Sequence, residues 1–142
     1  MSTLDGQRFV VDTNVLVSRL LLPESVPGQA LCRALNQGDI LVSDSTLTEL
    51  AEVINRPKFD KYLSKHDRNK FFEILAPLCI RVEIIQRIQA CRDPKDDKFL
   101  EVAINGTADF ILSGDADLLA LHPFHDIPIF SPSQFLKQES SF

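Results

Sequence analysis

The sequence predicts an α/β fold of three layers, with a central and mainly parallel sheet covered by helices on both faces. Short apolar runs of strand propensity alternate with segments of helical period along the whole chain, so successive strands are joined by helical crossovers. The first junction is the clearest. Residues 9–14, FVVDTN, carry three apolar residues into Asp12, and the following VLVSRLLL is too long to be another strand. A length of 142 residues, 44% of them apolar and 25% charged, suits one compact domain over 1–142, ordered nearly throughout.

After that first strand, residues 15–22 read as a helix closed by Pro23, and 24–28 as a turn. A second helix over 29–36 places Ala30, Leu31, Ala34 and Leu35 on one face, with Gly38 as its stop, and 40–42 is a short buried strand. The hydroxyls at 43–45 can cap a helix in which Leu47, Leu50, Ala51 and Ile54 keep helical spacing until Arg56 and Pro57 end it. Residues 59–78 read as a helical hairpin. Phe59, Tyr62 and Leu63 fall in its first arm, 64–67 in the joint, and Phe71, Phe72, Leu75 and Leu78 in its second arm.

In 79–85 apolar Ile80, Val82 and Ile84 alternate with Arg81 and Glu83, the pattern of an edge strand with one wet side. A loop over 86–95 leads to a helix over 96–105 stopped by Gly106, then to a buried strand at 110–112 and a turn at 113–117. A brief helix at 118–121 and a last strand at 127–130 follow. Pro132 then opens a terminal helix at its favoured first position, carrying Phe135 and Leu136.

Composition narrows the function classes. There is no charged-then-apolar leader and no apolar run near the ~20 residues that cross a bilayer, so a cytoplasmic protein with no membrane role is expected. Cys32, Cys79 and Cys91 are odd in number and lack any C-x-x-C pair, against both a disulfide framework and a structural zinc site. A net charge of −5 disfavours tight nonspecific duplex binding, which needs clustered lysine and arginine, but leaves room for a local basic rim beside an acidic pocket. His66, His122 and His125 are too scattered for a metal set, and Phe71, Phe72 and Phe99 read as core rather than as stacking platforms.

Carboxylates recur where strands end and helices begin. Asp12 follows the first strand, Glu49 lies in the helix after the second, Asp93, Asp96 and Asp97 crowd one helix start, and Asp115 with Asp117 follows the fourth strand. Any one of these alone reads best as a helix cap or a charge on a helix dipole. In an open parallel sheet, however, the carboxyl ends of the strands share one edge, where ligands bind. Unpaired carboxylates about 4 Å apart repel by roughly 4 kcal/mol at an effective dielectric near 20, and a divalent cation removes that conflict. Oxygen-only donors favour magnesium or manganese, which suits phosphoryl transfer by an activated water with no His or Ser nucleophile. Along the helix, Asp97, Leu100 and Glu101 share a face, while Asp93 precedes Pro94 in the loop; spacing leaves the choice among Asp93, Asp96 and Asp97 open.

Four blocks in order, FVVDTNVLVSRLL, LVSDSTLTELAEVINRPKF, RDPKDDKFLEVAINGTADFILSGDADLL and IPIFSPSQFL, resemble the PIN-domain family, in its branch of toxin components from bacterial type II toxin-antitoxin pairs. The resemblance spans nearly the whole chain. It implies a Rossmann-like α/β/α sandwich and a magnesium- or manganese-dependent endoribonuclease that cuts single-stranded RNA to leave 5'-phosphate and 3'-hydroxyl ends. Carried over by position, Asp12, Glu49, Asp97 and Asp115 match the family's catalytic, metal-holding acids, and Asp117 an additional metal acid. Asn14 matches a supporting polar residue, and Ser113 stands where members have Thr or Ser, its hydroxyl placed to hold Asp115 or a metal water. Arg56, Lys58, Arg92, Lys95 and Lys98 are candidate phosphate contacts at the rim, with solvated surface charge as the plainer reading. A small antitoxin covering the pocket, and a homodimer through the apolar 59–78 segment, are the partners it implies.

Two other readings compete. An aspartyl-phosphate phosphatase also places Asp after the first strand, but its general acid two residues later would be Asn14 here. A PIN-like interaction module without catalysis is the other, and the retention of all four acids argues against it.

Overall fold

The computed structural model of the chain describes residues 6–138. β1 (Gln7–Val11) is the centre of a five-stranded parallel sheet with β2 (Gly38–Val42) and β3 (Ile80–Arg81) on one side and β4 (Phe110–Leu112) and β5 (Ile129–Phe130) on the other. Helices α1 (Thr13–Leu21), α2 (Val26–Leu35), α3 (Asp44–Ile54), α4 (Lys65–Leu75), α5 (Asp97–Asn105), α6 (Ala116–Leu119) and α7 (Pro132–Lys137) connect and cover it. The expected three-layer α/β/α sandwich is therefore the fold.

Alternation along β1 sorts the core into two halves. Phe9 and Val11 point to one face, where α1, α2, α3, α4 and α7 pack, and Val10 to the other, where Phe99, Leu100, Val102 and Ala103 of α5 and Leu118 of α6 meet it. On the first face Phe9, Phe110 and Phe135 stack in series with centroids 5.1 Å apart at each step. A sheet buried on both faces needs continuous apolar strands, which is why β1, β2 and β4 end in VV, LV and IL runs. Gly38 opens β2 rather than closing α2. A Cβ there would lie 2.0 Å from the carbonyl oxygen of Gln7, its partner on β1, so the strands approach too closely for any side chain.

Local signals set the helix starts. Ser25 accepts from the Gly28 amide and begins α2 at Val26, earlier than its apolar spacing suggests, with Pro27 tolerated in the first turn. Ser43 and Thr46 form a reciprocal capping box on α3, as Ser131 and Gln134 do on α7. Among the described residues no helix is long and apolar enough to cross a membrane.

Two expected elements take another form. The first arm of the 59–78 hairpin is not a helix: a 3-10 turn over Pro57–Phe59 leads into irregular chain before α4. The cause is Arg68, whose side chain is fully buried and donates to the carbonyls of Ile54 at 2.8 Å, Arg56 at 3.1 Å and Ser64 at 3.3 Å, and pairs with Asp60. One guanidinium fork thus satisfies the end of α3 and the turn after it, which a helical arm would have to satisfy itself. The expected strand over 79–85 pairs only at Ile80–Arg81, extended by the Val82 amide on Val42 O at 2.7 Å. Beyond it the Ile85 and Gln86 amides both donate to Asn105 Oδ1, at 3.0 and 2.9 Å, so the chain leaves the sheet for the side of α5.

Replacing Arg68 with Met should leave those carbonyls unsatisfied in a buried site and lower the unfolding free energy by about 2–4 kcal/mol. Urea denaturation with an unchanged slope and a shifted midpoint would report it, and Arg68→Lys, lacking the fork, should recover only part of the loss.

Candidate functional site

β1 lies where the strand order reverses, β2 being on one side and β4 on the other, so its carboxyl end opens the crevice in which ligands of open α/β sheets bind. Register continues past the strands: Val11 faces Leu112, the Asp12 amide donates to Leu112 O at 3.1 Å, and Ser113 N donates to Phe130 O at 3.0 Å. Asp12 and Ser113 thus come from sequence positions far apart to lie side by side, both buried. The Ser113 hydroxyl donates to Asp12 Oδ2 and accepts from the Asp115 amide at 3.0 Å, while Asp12 Oδ1 caps α1 by accepting from Val15 N at 3.0 Å. Ser113 therefore fixes Asp12 directly and holds Asp115 through its backbone amide.

A cavity of about 480 Å³ opens over this point, lined by Asp12, Asn14, Glu49, Asp93, Asp96 and Asp115 among its polar groups. Val15, Val53, Phe99 and Pro132 are among its apolar lining residues. Carboxylate oxygens of Asp96, Asp115 and Asp117 all fall within 4.8 Å of one another. Burial pushes the Asp12 carboxyl above its ordinary range, against the opposing hydrogen bonds from Ser113 and Val15, and Asp115 adds repulsion. Asp96 is pushed up to about 6, first by burial, then by a shared hydrogen bond with Asp115 and by the charges of Asp115, Asp93 and Glu49. All-oxygen donors, crowded until they resist ionising together, fit a hard divalent cation.

Asp97 is not in this group. It is 9% exposed, and its Oδ1 accepts from the Cys91 amide at 2.7 Å and the Ala90 amide at 3.0 Å, so it ties the 86–93 loop to α5. Burial alone would raise its pKa; those amides outweigh it and hold the carboxyl below the usual range. Of the two adjacent acids, Asp96 is among the residues that line the cavity and Asp97 is not. Cys91 shares this corner, its thiol pushed up to about 12 by burial and by Asp97, Asp96 and Asp115, and the three cysteines are free thiols.

Glu49 reaches the cavity from α3, with Thr13 Oγ1 donating to its Oε2 at 2.5 Å and Lys98 Nζ to its Oε1 at 2.6 Å. The only sequence signal for Thr13 is its place beside Asp12 in the DTN run. Of the candidate basic residues, Arg56 and Lys95 line the cavity and Lys98 is spent on Glu49. Lys58 sits over the Phe59 ring at 5.1 Å, and neither it nor Arg92 is among the cavity's lining residues. Asn14 is exposed at the mouth.

Comparison with known proteins agrees with this architecture. The PIN domain family model matches residues 8–117. An uncharacterized protein of Methanocaldococcus jannaschii is 32% identical over 116 residues, covering 80% of this chain and 74% of that protein. Among solved structures, VapBC2 from Rickettsia felis, bound to a DNA fragment from its promoter, is similar with a TM-score of 0.60 at 13% identity, over 88% of this chain and 98% of that one. VapC20 from Mycobacterium tuberculosis, a sarcin-ricin loop cleaving toxin, gives 0.55 at 12% identity, over 84% and 98%. FitAcB from Neisseria gonorrhoeae gives 0.54 at 15% identity, over 88% and 98%.

The strain at Asp96 has a measurable sign. Its folded pKa of about 6 lies above the ordinary 3.8, so its ionised form is penalised in the folded state above pH 6 and the penalty disappears below about pH 4. In EDTA at pH 8, Asp96→Asn should therefore raise stability by about 1 kcal/mol after allowance for solvent screening, about 3 °C in melting temperature. The gain should shrink through pH 6 to 4 and vanish below, as read by thermal melts across that range.

Proposed function

From the premise that this chain belongs to the PIN domain family, we propose that it is a metal-dependent endoribonuclease of single-stranded RNA, acting in the cytoplasm as the toxin of a toxin-antitoxin pair. The observation that carries the reading is the meeting of Asp96, Asp115 and Asp117 within 4.8 Å, beside Asp12 at the end of the central strand. These acids would hold magnesium or manganese, with Asp96 in place of Asp97. When bound there, such a cation would supply the Lewis acidity needed to activate a water at neutral pH and to counter charge on the phosphate.

The chain's own residues do the rest. Ser113 and the Val15 amide hold Asp12 in one orientation toward the cavity, and Ser113 sets the turn that presents Asp115. Arg56 and Lys95, which line the cavity, would meet backbone phosphates of the substrate, supplying position rather than sequence readout. A cavity lined by both acidic and apolar side chains suits an extended single strand better than a duplex, in keeping with the net charge of −5. The relatives named as VapBC2 and FitAcB support a small antitoxin partner for this chain. Tyr62, Ile74 and Leu78, exposed along the 59–78 segment, support pairing of two copies there. The phosphatase reading gains no support, since Asn14 cannot protonate a leaving group.

Purified protein should cleave a single-stranded RNA in magnesium or manganese, lose cleavage in EDTA, and lose on the order of 100-fold in kcat on Asp115→Asn. Asp96→Asn should do likewise, while Asp97→Asn, which keeps an acceptor for both loop amides, should retain most activity. Cleavage that survives EDTA and Asp115→Asn together would remove the nuclease reading. The reverse ranking of Asp96 and Asp97 would remove only the assignment between them.

A further inference from the structure

The cavity's negative charge is unevenly compensated. On one side, both oxygens of Glu49 are taken by donors of the chain itself, Thr13 Oγ1 from α1 and Lys98 Nζ from α5. Lys98 is held in turn: its ammonium also donates to Lys95 O at 2.6 Å, and its side chain is 17% exposed, with Nζ 5.7 Å from the Phe99 ring centroid. On the other side, the ion pairs among the described residues are Arg68–Asp60, Arg81–Asp44, Arg87–Glu101 and Lys98–Glu49, so none reaches Asp96, Asp115 or Asp117. Glu49 is thus paired within the chain, and the Asp96, Asp115 and Asp117 group is not.

An ammonium with two short hydrogen bonds and a partly buried stem is costly to move, because its donors and its carboxylate partner would all need replacements. A second divalent cation entering at Glu49 would have to displace that ammonium and stay beside its charge. We propose that Lys98 is the resident counter-charge of Glu49 and limits the cavity to one divalent cation, held by Asp96, Asp115 and Asp117. Lys98 is in this sense a positioning residue: it acts through Glu49, keeping that carboxylate as a fixed wall of the site and out of the ligand set. The inference rests on the metal-dependent reading above.

The number of manganese ions bound per chain, measured on the full chain without RNA from the electron paramagnetic resonance signal of free Mn2+, tests it. The wild type should bind one ion. Lys98→Met and Lys98→Gln should each bind two, the second at least tenfold more tightly than any second ion in the wild type. Lys98→Arg, which keeps the charge, should return the count to one, and so should Lys98→Met combined with Glu49→Gln, because the new site needs the freed carboxylate. Two ions on the wild type, or an unchanged count in both neutral variants, would overturn the role of Lys98 while leaving a metal site in place. A second ion that persists in the double variant would also overturn it. Absence of bound manganese from the wild type and every variant would remove the metal reading and this inference together.

Discussion

Mutual repulsion among carboxylates gathered at the end of β1 is the constraint around which this molecule is built. The sheet order puts β1 and β4 side by side at the point where connections diverge, and both strands run directly into polar residues there. The stability needed to hold such a site comes from elsewhere. Phe9, Val11, Phe110 and Leu112 on one face, and Val10 and Ile111 on the other, are buried in the two halves of the core. Fully burying a side chain of this size contributes about 1.5–3 kcal/mol. Against that background, carboxyls at Asp12 and Asp96 whose ionisation is penalised are a tolerable local cost.

The same formal charge has different consequences according to the donors that meet it. Asp97 faces two backbone amides and is more acidic than usual; Asp12 faces one amide and a hydroxyl, which do not offset its burial; Asp96 faces other carboxylates. Glu49 faces an ammonium and a hydroxyl. Among the described residues, the carboxylates of Asp96, Asp115 and Asp117 lie close together with no cationic side chain paired to them.

Strands and acids were legible in the sequence because both depend on local signals. VV, LV and IL runs before Asp12, Ser43 and Ser113 mark strand ends, and capping residues follow at once. What was not legible depends on pairs distant in sequence. Arg68 reads as a solvated charge until the carbonyls of Ile54 and Arg56 are seen to meet it, and so the 59–63 stretch looked helical from its apolar spacing alone. Lys98 reads as a rim residue until Glu49, in another helix, comes within 2.6 Å of it. Thr13 was hidden by its neighbours, since Asp12 and Asn14 carry the more familiar chemistry.

Asp96 and Asp97 have different surroundings because the helical geometry changes between them. Pro94–Asp96 form a 3-10 turn capped by Asp93 in extended backbone, and both Asp93 and Asp96 line the cavity. The α-helix begins at Asp97, and from there the side chains four apart align: Asp97, Glu101 and Asn105 form one polar stripe down α5. That stripe receives the amides of Cys91 and Ala90 at Asp97, of Ile88 at Glu101, and of Gln86 and Ile85 at Asn105. An extended segment that leaves the sheet after β3 thus exchanges strand partners for side-chain acceptors on a helix, and its backbone stays satisfied. Asp97 belongs to this ladder and Asp96 to the cavity. Two adjacent acids of one charge are set in different surroundings at the step where the 3-10 turn gives way to the α-helix.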